Sequence, residues 1–144
     1  MKVESILSGK GREVQTVGSE VSLVHAIHQL SSMGIGALVV SDDGRRVDGL
    51  LGEREVVRGL ARHGAGLLDL RVHEVMARSV AICSPQDTLR HAMAEMTRTR
   101  NRHLPVVDDG ALCGLISIGD VVKHRLEELE LEALVLRDVA IRHR

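Results

Sequence analysis

Phenylalanine, tyrosine and tryptophan are absent from all 144 residues. Proteins that read single-stranded nucleic acid by stacking bases on aromatic platforms are disfavoured by that absence, and only arginine guanidinium stacking remains. A charge excess of either sign is missing too. Nineteen basic against 20 acidic residues leave a net charge of −1, so no broad basic face is expected for DNA or an anionic membrane. No run approaches the ~20 apolar residues that span a bilayer. The N-terminal MKVESILSGKGREV holds no apolar stretch long enough for a signal peptide, and the cytoplasm is the expected location. There are two cysteines, Cys83 and Cys113, both in strand-like segments; buried free thiols in a reducing compartment are expected.

Several chemistries lack their parts. No glycine-rich phosphate loop occurs, and no nucleophile has a placed base, Cys83 with His91 included, so no enzyme and no catalytic cofactor are expected. His25 and His28 stand three apart on one helical pattern, but no third ligand follows at the spacing of a known metal site. Metal binding is not expected, and a metal-responsive protein is a third-ranked alternative.

What remains is aliphatic. Val, Leu, Ile, Met and Ala must build the core, each fully buried aliphatic side chain giving roughly 1.5–3 kcal/mol. The pattern predicts a helical turn at Lys2–Leu7 and a short strand at Val14–Val17. Ser19 or Ser22 would cap a helix bearing Leu23, Ile27, Leu30 and Met33 on one face and ended by Gly34. Strands are expected at Gly36–Ser41 and Val47–Leu51 around an Asp42-Asp43-Gly44 turn. A helix follows at Glu53–Arg62, then a flexible connector at His63–Gly66 and a short helix within Leu67–Met76.

The same order then recurs. Displaced by 66 residues, Val14 falls on Val80, Leu23 on Leu89, His25 on His91, Leu38 on Leu104 and Asp42-Asp43-Gly44 on Asp108-Asp109-Gly110. Past that turn the displacement is 65, because the first hairpin carries one extra residue; Gly49 meets Gly114 and Val56-Val57 meets Val121-Val122. The expected class is α/β (α+β): two β-α-β-β-α repeats, 1–66 and 67–127, packed face to face with pseudo-twofold symmetry, and a helical extension at 128–144. A single unit would leave an apolar sheet face bare.

Val80-Ala81-Ile82 with Ser84-Pro85, then Arg102-His103-Leu104-Pro105-Val106, then Gly114-Leu115-Ile116-Ser117-Ile118-Gly119-Asp120 stand in an order and spacing that resembles a tandem pair of cystathionine-β-synthase (CBS) domains, a Bateman module. The resemblance spans roughly Lys2 to Glu127. It implies a regulatory sensor of an adenosine ligand, AMP foremost, with ATP, ADP or NAD(H) also in range, bound in clefts between the repeats. It implies that Asp120 takes the ribose and Ser117 assists, with His103, Leu104, Pro105, Val80 and Ile82 flanking the adenine. A carboxylate can accept both hydroxyls of a ribose diol, and bonds to a charged group contribute roughly 1.5–3 kcal/mol each. The helix start near Asp120 would favour phosphate. The first copy departs from the pattern, with Gly52 at the hydroxyl position, Glu55 at the carboxylate and Ala37 where the second has His103. A second cleft there, with Leu38 and Thr16, is in question. Arg54 and Arg102 are the phosphate candidates. Asp120 reads equally well as a helix N-cap, and Arg54 as a solvated charge.

From Arg125 the tail carries Leu126, Leu129, Ala133, Leu136 and Ala140 at alternating steps of three and four, the spacing of a coiled-coil seam. A homodimer contact is expected there. A regulated protein partner is implied but not identified, and membrane and nucleic-acid partners are not expected. The competing reading is a ligand-free interaction or dimerisation module.

Overall fold

The computed structural model describes residues 1–143; Arg144, the last residue of the expected extension, lies outside them. Helix α1 spans Val3–Lys10. The first repeat follows as β1 (Thr16–Val17), α2 (Leu23–Met33), β2 (Ala37–Val40), β3 (Gly49–Gly52) and α3 (Glu53–His63). The second supplies α4 (Leu89–Thr99), β4 (His103–Asp108), β5 (Ala111–Ser117) and α5 (Ile118–Arg142). Strand β1 pairs with β2 in parallel and β2 with β3 antiparallel. The β4–β5 pair is antiparallel, with a bulge at Val106/Val107.

Several local expectations shift. The strand expected around Val80–Ile82 is reduced to a parallel bridge between Cys83 and Val106, in which the Cys83 N–H donates to the Pro105 carbonyl at 3.0 Å and the Cys83 carbonyl accepts the Val107 N–H at 2.8 Å; Pro85, without an N–H, stops the pairing on its C-terminal side. The flexible connector and short helix expected between the repeats are instead two 3-10 turns, Gly64–Asp69 and Val72–Glu74. Ser22, not Ser19, caps α2, its Oγ accepting the His25 N–H at 3.3 Å; Thr88 does the same for His91 at 3.0 Å in α4.

Strand alternation divides the apolar residues between two destinations. Leu38 and Val40 of β2 face α2, forming a core with Leu23, Ala26, Leu30 and Leu51. Leu104, Val106 and Ile116 form its counterpart with Leu89, Ala92 and Met96. The opposite face of the first sheet, Ala37, Val39 and Leu50, meets Leu112, Leu115 and Val80 of the second repeat. That inter-repeat layer covers the face a lone unit would leave bare.

The segment ahead of each repeat packs on the other repeat. Val3, Ile6 and Leu7 of α1 lie in the second repeat's core, while Leu67 and Val72 of the linker lie in the first's. Backbone bonds repeat the exchange symmetrically. Val3 N–H donates to Asp87 O at 2.9 Å and Val72 N–H to Val21 O at 2.9 Å, and the Lys2–Thr88 bridge matches the Ser22–Arg71 bridge. The close approaches fall on paired glycines. A Cβ on Gly49 would stand 2.7 Å from the Ala77 carbonyl, and one on Gly114 would stand 2.5 Å from Leu7 Cδ2.

Candidate functional site

The N-terminus of α3 and the approach to β4 face each other across a cleft of about 690 Å³. Gly36 and Ala37 at the start of β2, Gly52 to Glu55, and Arg100 to His103 line it, with Val57 and Arg58 one turn further along α3. The lining carries both chemistries a nucleotide would need. Glu55 brings a carboxylate, and Arg54, Arg58, Arg100, Arg102 and His103 gather on the same opening.

Glu55 is buried and at N3 of α3, where its Oε2 accepts the Gly52 N–H at 3.0 Å. Its Oε1 lies 3.7 Å from Arg54 Nε. Gly52 stands where the second copy has Ser117, and the reason is local crowding: a Cβ there would sit 2.9 Å from the Gly36 carbonyl. The Arg54 side chain spans the cleft, donating to the Arg100 carbonyl at 2.5 Å and to Asn101 Oδ1. It is therefore a clamp between the repeats as well as a cation.

Asp120 is not the N-cap of α5. Ser117 is: its Oγ accepts the Asp120 N–H at 3.1 Å, and Asp120 Oδ2 accepts the Ser117 N–H at 2.9 Å, closing a reciprocal capping box. Lys10, from the end of α1, donates to the same Oδ2 at 2.7 Å and to the Leu115 carbonyl at 3.0 Å. Burial opposes ionisation of Asp120, but the Lys10 ammonium and the Ser117 N–H together hold it below the ordinary carboxylate value.

His103 stands between the two acidic helix starts. Its half-buried ring packs on Gly36, where a Cβ would come within 3.0 Å of Cε1. Burial, then the Lys10 charge, push its pKa below the usual imidazole value, against the pull of Asp120, Glu55 and Glu53. The imidazole is accordingly biased to its neutral form.

The residues expected from the sequence divide three ways. His103, Arg102, Arg54, Glu55, Gly52 and Ala37 line the large cleft. Asp120 and Ser117 are tied into the α5 cap and to Lys10. Leu38 and Leu104 are fully buried in the two repeat cores and Pro105 is buried within β4, so none offers an open side-chain wall to a ligand. Thr16, in β1, accepts the Gln29 amide through its carbonyl at 3.4 Å. Val80 and Ile82 lie away from the large cleft, on a separate 280 Å³ cavity with Arg45, Arg46, Val47, Arg78, Val107 and Gly110, beyond the far ends of β2 and β4.

Lys10, Arg58, Arg100 and Asn101 were not foreseen. Lys10 lies beyond the helical turn expected at Lys2–Leu7, at the end of α1, and nothing nearby in sequence marks it. Arg100 did carry a signal, because it falls on Gly34 in the repeat. Both end their helices in the left-handed region, at φ 56 for Arg100 and φ 61 for Gly34, and a side chain there is costly enough to be noticed. Among the described residues, no group of three His, Cys, Asp or Glu is placed to hold a metal. Both thiols are free, and burial pushes that of Cys83 up to about 12.

Two exchanged half-domains with helix starts facing across a shared sheet layer define a tandem-repeat module. The chain belongs to the CBS-domain family: the CBS domain model matches residues 5–62 and 72–127. The crystal structure of the CBS-domain containing protein ATU1752 from Agrobacterium tumefaciens is 44% identical with a TM-score of 0.83, covering 87% of this chain and 99% of that one. The mitochondrial CBS domain-containing protein CBSX3 of Arabidopsis thaliana is 27% identical over 146 residues, 92% of this chain and 71% of the relative. A CBS domain pair of protein MJ0100, solved in complex with 5′-methylthioadenosine and S-adenosyl-L-methionine, shares the fold at a TM-score of 0.74 and 22% identity, covering 85% of this chain and 98% of that one.

Proposed function

We propose that the chain is a sensor of an adenosine ligand, AMP first and ATP, ADP or NAD(H) next, which signals to a protein partner by changing the geometry of its paired repeats. The cleft between α3 and β4 carries the reading. Its 690 Å³ falls in the range of about 300–1,000 Å³ usual for small-ligand sites. Glu55 supplies a ribose acceptor, the α3 N-terminus and the arginines supply phosphate donors, and Ala37 and Val57 supply apolar wall. The adenosine compounds bound by the CBS pair of MJ0100 support the ligand class. Asp120 with Ser117 is a second ribose position, which a ligand reaches by displacing Lys10. The chain works as a homodimer in the cytoplasm, where its two free thiols stay reduced.

A competing reading, a ligand-free interaction module, draws on one observation: each acidic group already has partners within the chain, Asp120 from Lys10 and Glu55 from Gly52. Calorimetric titration of nucleotide-stripped protein with AMP, then ATP and NADH, separates the two. Saturable heat that weakens several-fold in Glu55→Gln or Asp120→Ala supports the sensor and identifies the cleft in use. Silence with all three nucleotides overturns it in favour of the interaction module.

A further inference from the structure

Helix α5 outlasts the body it starts from. Its only buried residue is Val121, and every residue from Leu129 to His143 is exposed. The exposed side chains are nevertheless large and apolar: Leu126, Leu129, Leu131, Leu134, Val135, Leu136, Val139 and Ile141, with Leu136 70% exposed. An apolar helix that leaves its own domain is stable in water only when something covers it.

The sequence of α5 specifies what covers it. Leu126, Ala133 and Ala140 occupy the first position of successive heptads, and Leu129 and Leu136 the fourth. From Leu129 to Ala140 large and small side chains therefore alternate, along a seam that runs about 21 Å from Leu126 to Ala140. A parallel copy would stack Ala133 on its own counterpart and Ala140 on its own, leaving underfilled layers between leucine layers. An antiparallel copy, with its twofold axis between Leu134 and Val135, sets Leu129 on the partner's Ala140 and Ala133 on the partner's Leu136. The four inner layers then each hold one leucine and one alanine, the uniform filling close packing favours, and Leu126 at either end meets His143 of the second copy. The opposite face, with Leu131, Val135 and Val139, is broken by Glu128 and shows no such alternation.

Charge selects the same register. In the antiparallel arrangement the residues flanking the seam bring Glu130 opposite the partner's Arg137, twice per pair by symmetry. Arg142 is paired with Asp138 within the helix at 3.2 Å and Arg125 with Glu128, whereas Glu130 and Arg137 have no ion-pair partner among the described residues.

We infer that α5 pairs antiparallel with α5 of a second copy of this chain, through the Leu126–Ala140 seam and reciprocal Glu130–Arg137 contacts. This deepens the homodimer reading above and rests on it.

The test is sedimentation equilibrium of the full-length chain at low salt. Glu130→Arg and Arg137→Glu each place like charges together twice, and each weakens the dimer about tenfold or more. The Glu130→Arg/Arg137→Glu double variant recovers the parent affinity. An equimolar mixture of the two single variants also recovers it, as a heterodimer. Parallel pairing predicts the reverse, because Arg125 and Glu132 would then face positions 130 and 137; a double variant weaker than either single one, or a mixture no tighter than its components, overturns the antiparallel pairing. A dimer indifferent to all of these substitutions also overturns it and leaves the homodimer reading standing, whereas a monomeric parent overturns both. The substituted residues are fully on the surface, and circular dichroism checks that each variant is folded.

Discussion

The ammonium of Lys10, from the helix ahead of the first repeat, lies 2.7 Å from the carboxylate of Asp120, which begins the last helix of the second. The two are 110 residues apart, and they meet because α1 packs on the second repeat. Lys10 is half exposed and its partner a quarter exposed, so the pair contributes little to stability, under about 1 kcal/mol. Lys10→Met should therefore leave neutral-pH stability nearly unchanged. By linkage that same small contribution is what the pair adds to the acid dependence of stability. Asp120 is held below its ordinary pKa, so its stabilisation is present above the unfolded-state value and is lost as pH falls through the folded one. In Lys10→Met that acid loss shrinks, as urea denaturation between pH 5 and 3 would report. An unchanged acid profile would mean that Lys10 does not hold Asp120 in solution.

His103 gives a handle of the same sign in a higher pH window. Its pKa is lowered on folding, chiefly by burial, so the unfolded chain binds the proton more readily and stability rises with pH across the window below the unfolded imidazole value. Acidifying from pH 7 should thus cost stability before any carboxylate titrates. His103→Asn should flatten that part of the profile, measured as denaturation midpoint against pH from 7 to 5.

The paired close-approach glycines should not tolerate side chains equally. Gly49→Ala drives a methyl against a backbone oxygen, Ala77 O at 2.7 Å, and against Met76 Sδ at 2.6 Å. Gly114→Ala meets only the end of the Leu7 side chain, which can turn within its rotamers. Overpacking costs about 1–3 kcal/mol, and Gly49→Ala should fall at the upper end and Gly114→Ala at the lower. Chemical denaturation of the two variants side by side checks the order.

Arg100→Gly separates stability from binding. Arg100 ends α4 with φ 56, where a non-glycine residue is disfavoured by about 1 kcal/mol, and Gly34 shows the unstrained version of the same cap. The variant should be about as stable as the parent or up to about 1 kcal/mol more so. It also removes a cation from the rim of the large cleft, so nucleotide affinity should fall while the thermal midpoint holds or rises. Calorimetry and a melting curve on one preparation decide both halves.

Much of the fold was legible in the chain. The duplication, the two hairpins with their Asp-Asp-Gly turns, the helix carrying Leu23 and Leu30, and the apolar stripe of α5 all follow from local period and turn chemistry, which short stretches of sequence encode directly. So did the membership of the family and the acidic helix starts at Glu55 and Asp120. The cap of α5 was not read correctly: the spacing offered Asp120 as the cap, and the structure gives that role to Ser117, with Asp120 three residues on.

What only the tertiary structure decided depends on contacts across long sequence separations. The exchange of leading segments, which carries Lys10 to Asp120 and seats Leu7 against Gly114, has no local signature because α1 reads as an ordinary amphipathic turn wherever it docks. The assignment of the large cleft to the Glu55 side, the placement of Val80 and Ile82 on a different cavity, and the Arg54 clamp on Arg100 and Asn101 are of the same kind. Hydrophobic period tells each residue which face of its own element it lies on; only the packing of one repeat against the other determines which residues of the second stand opposite it.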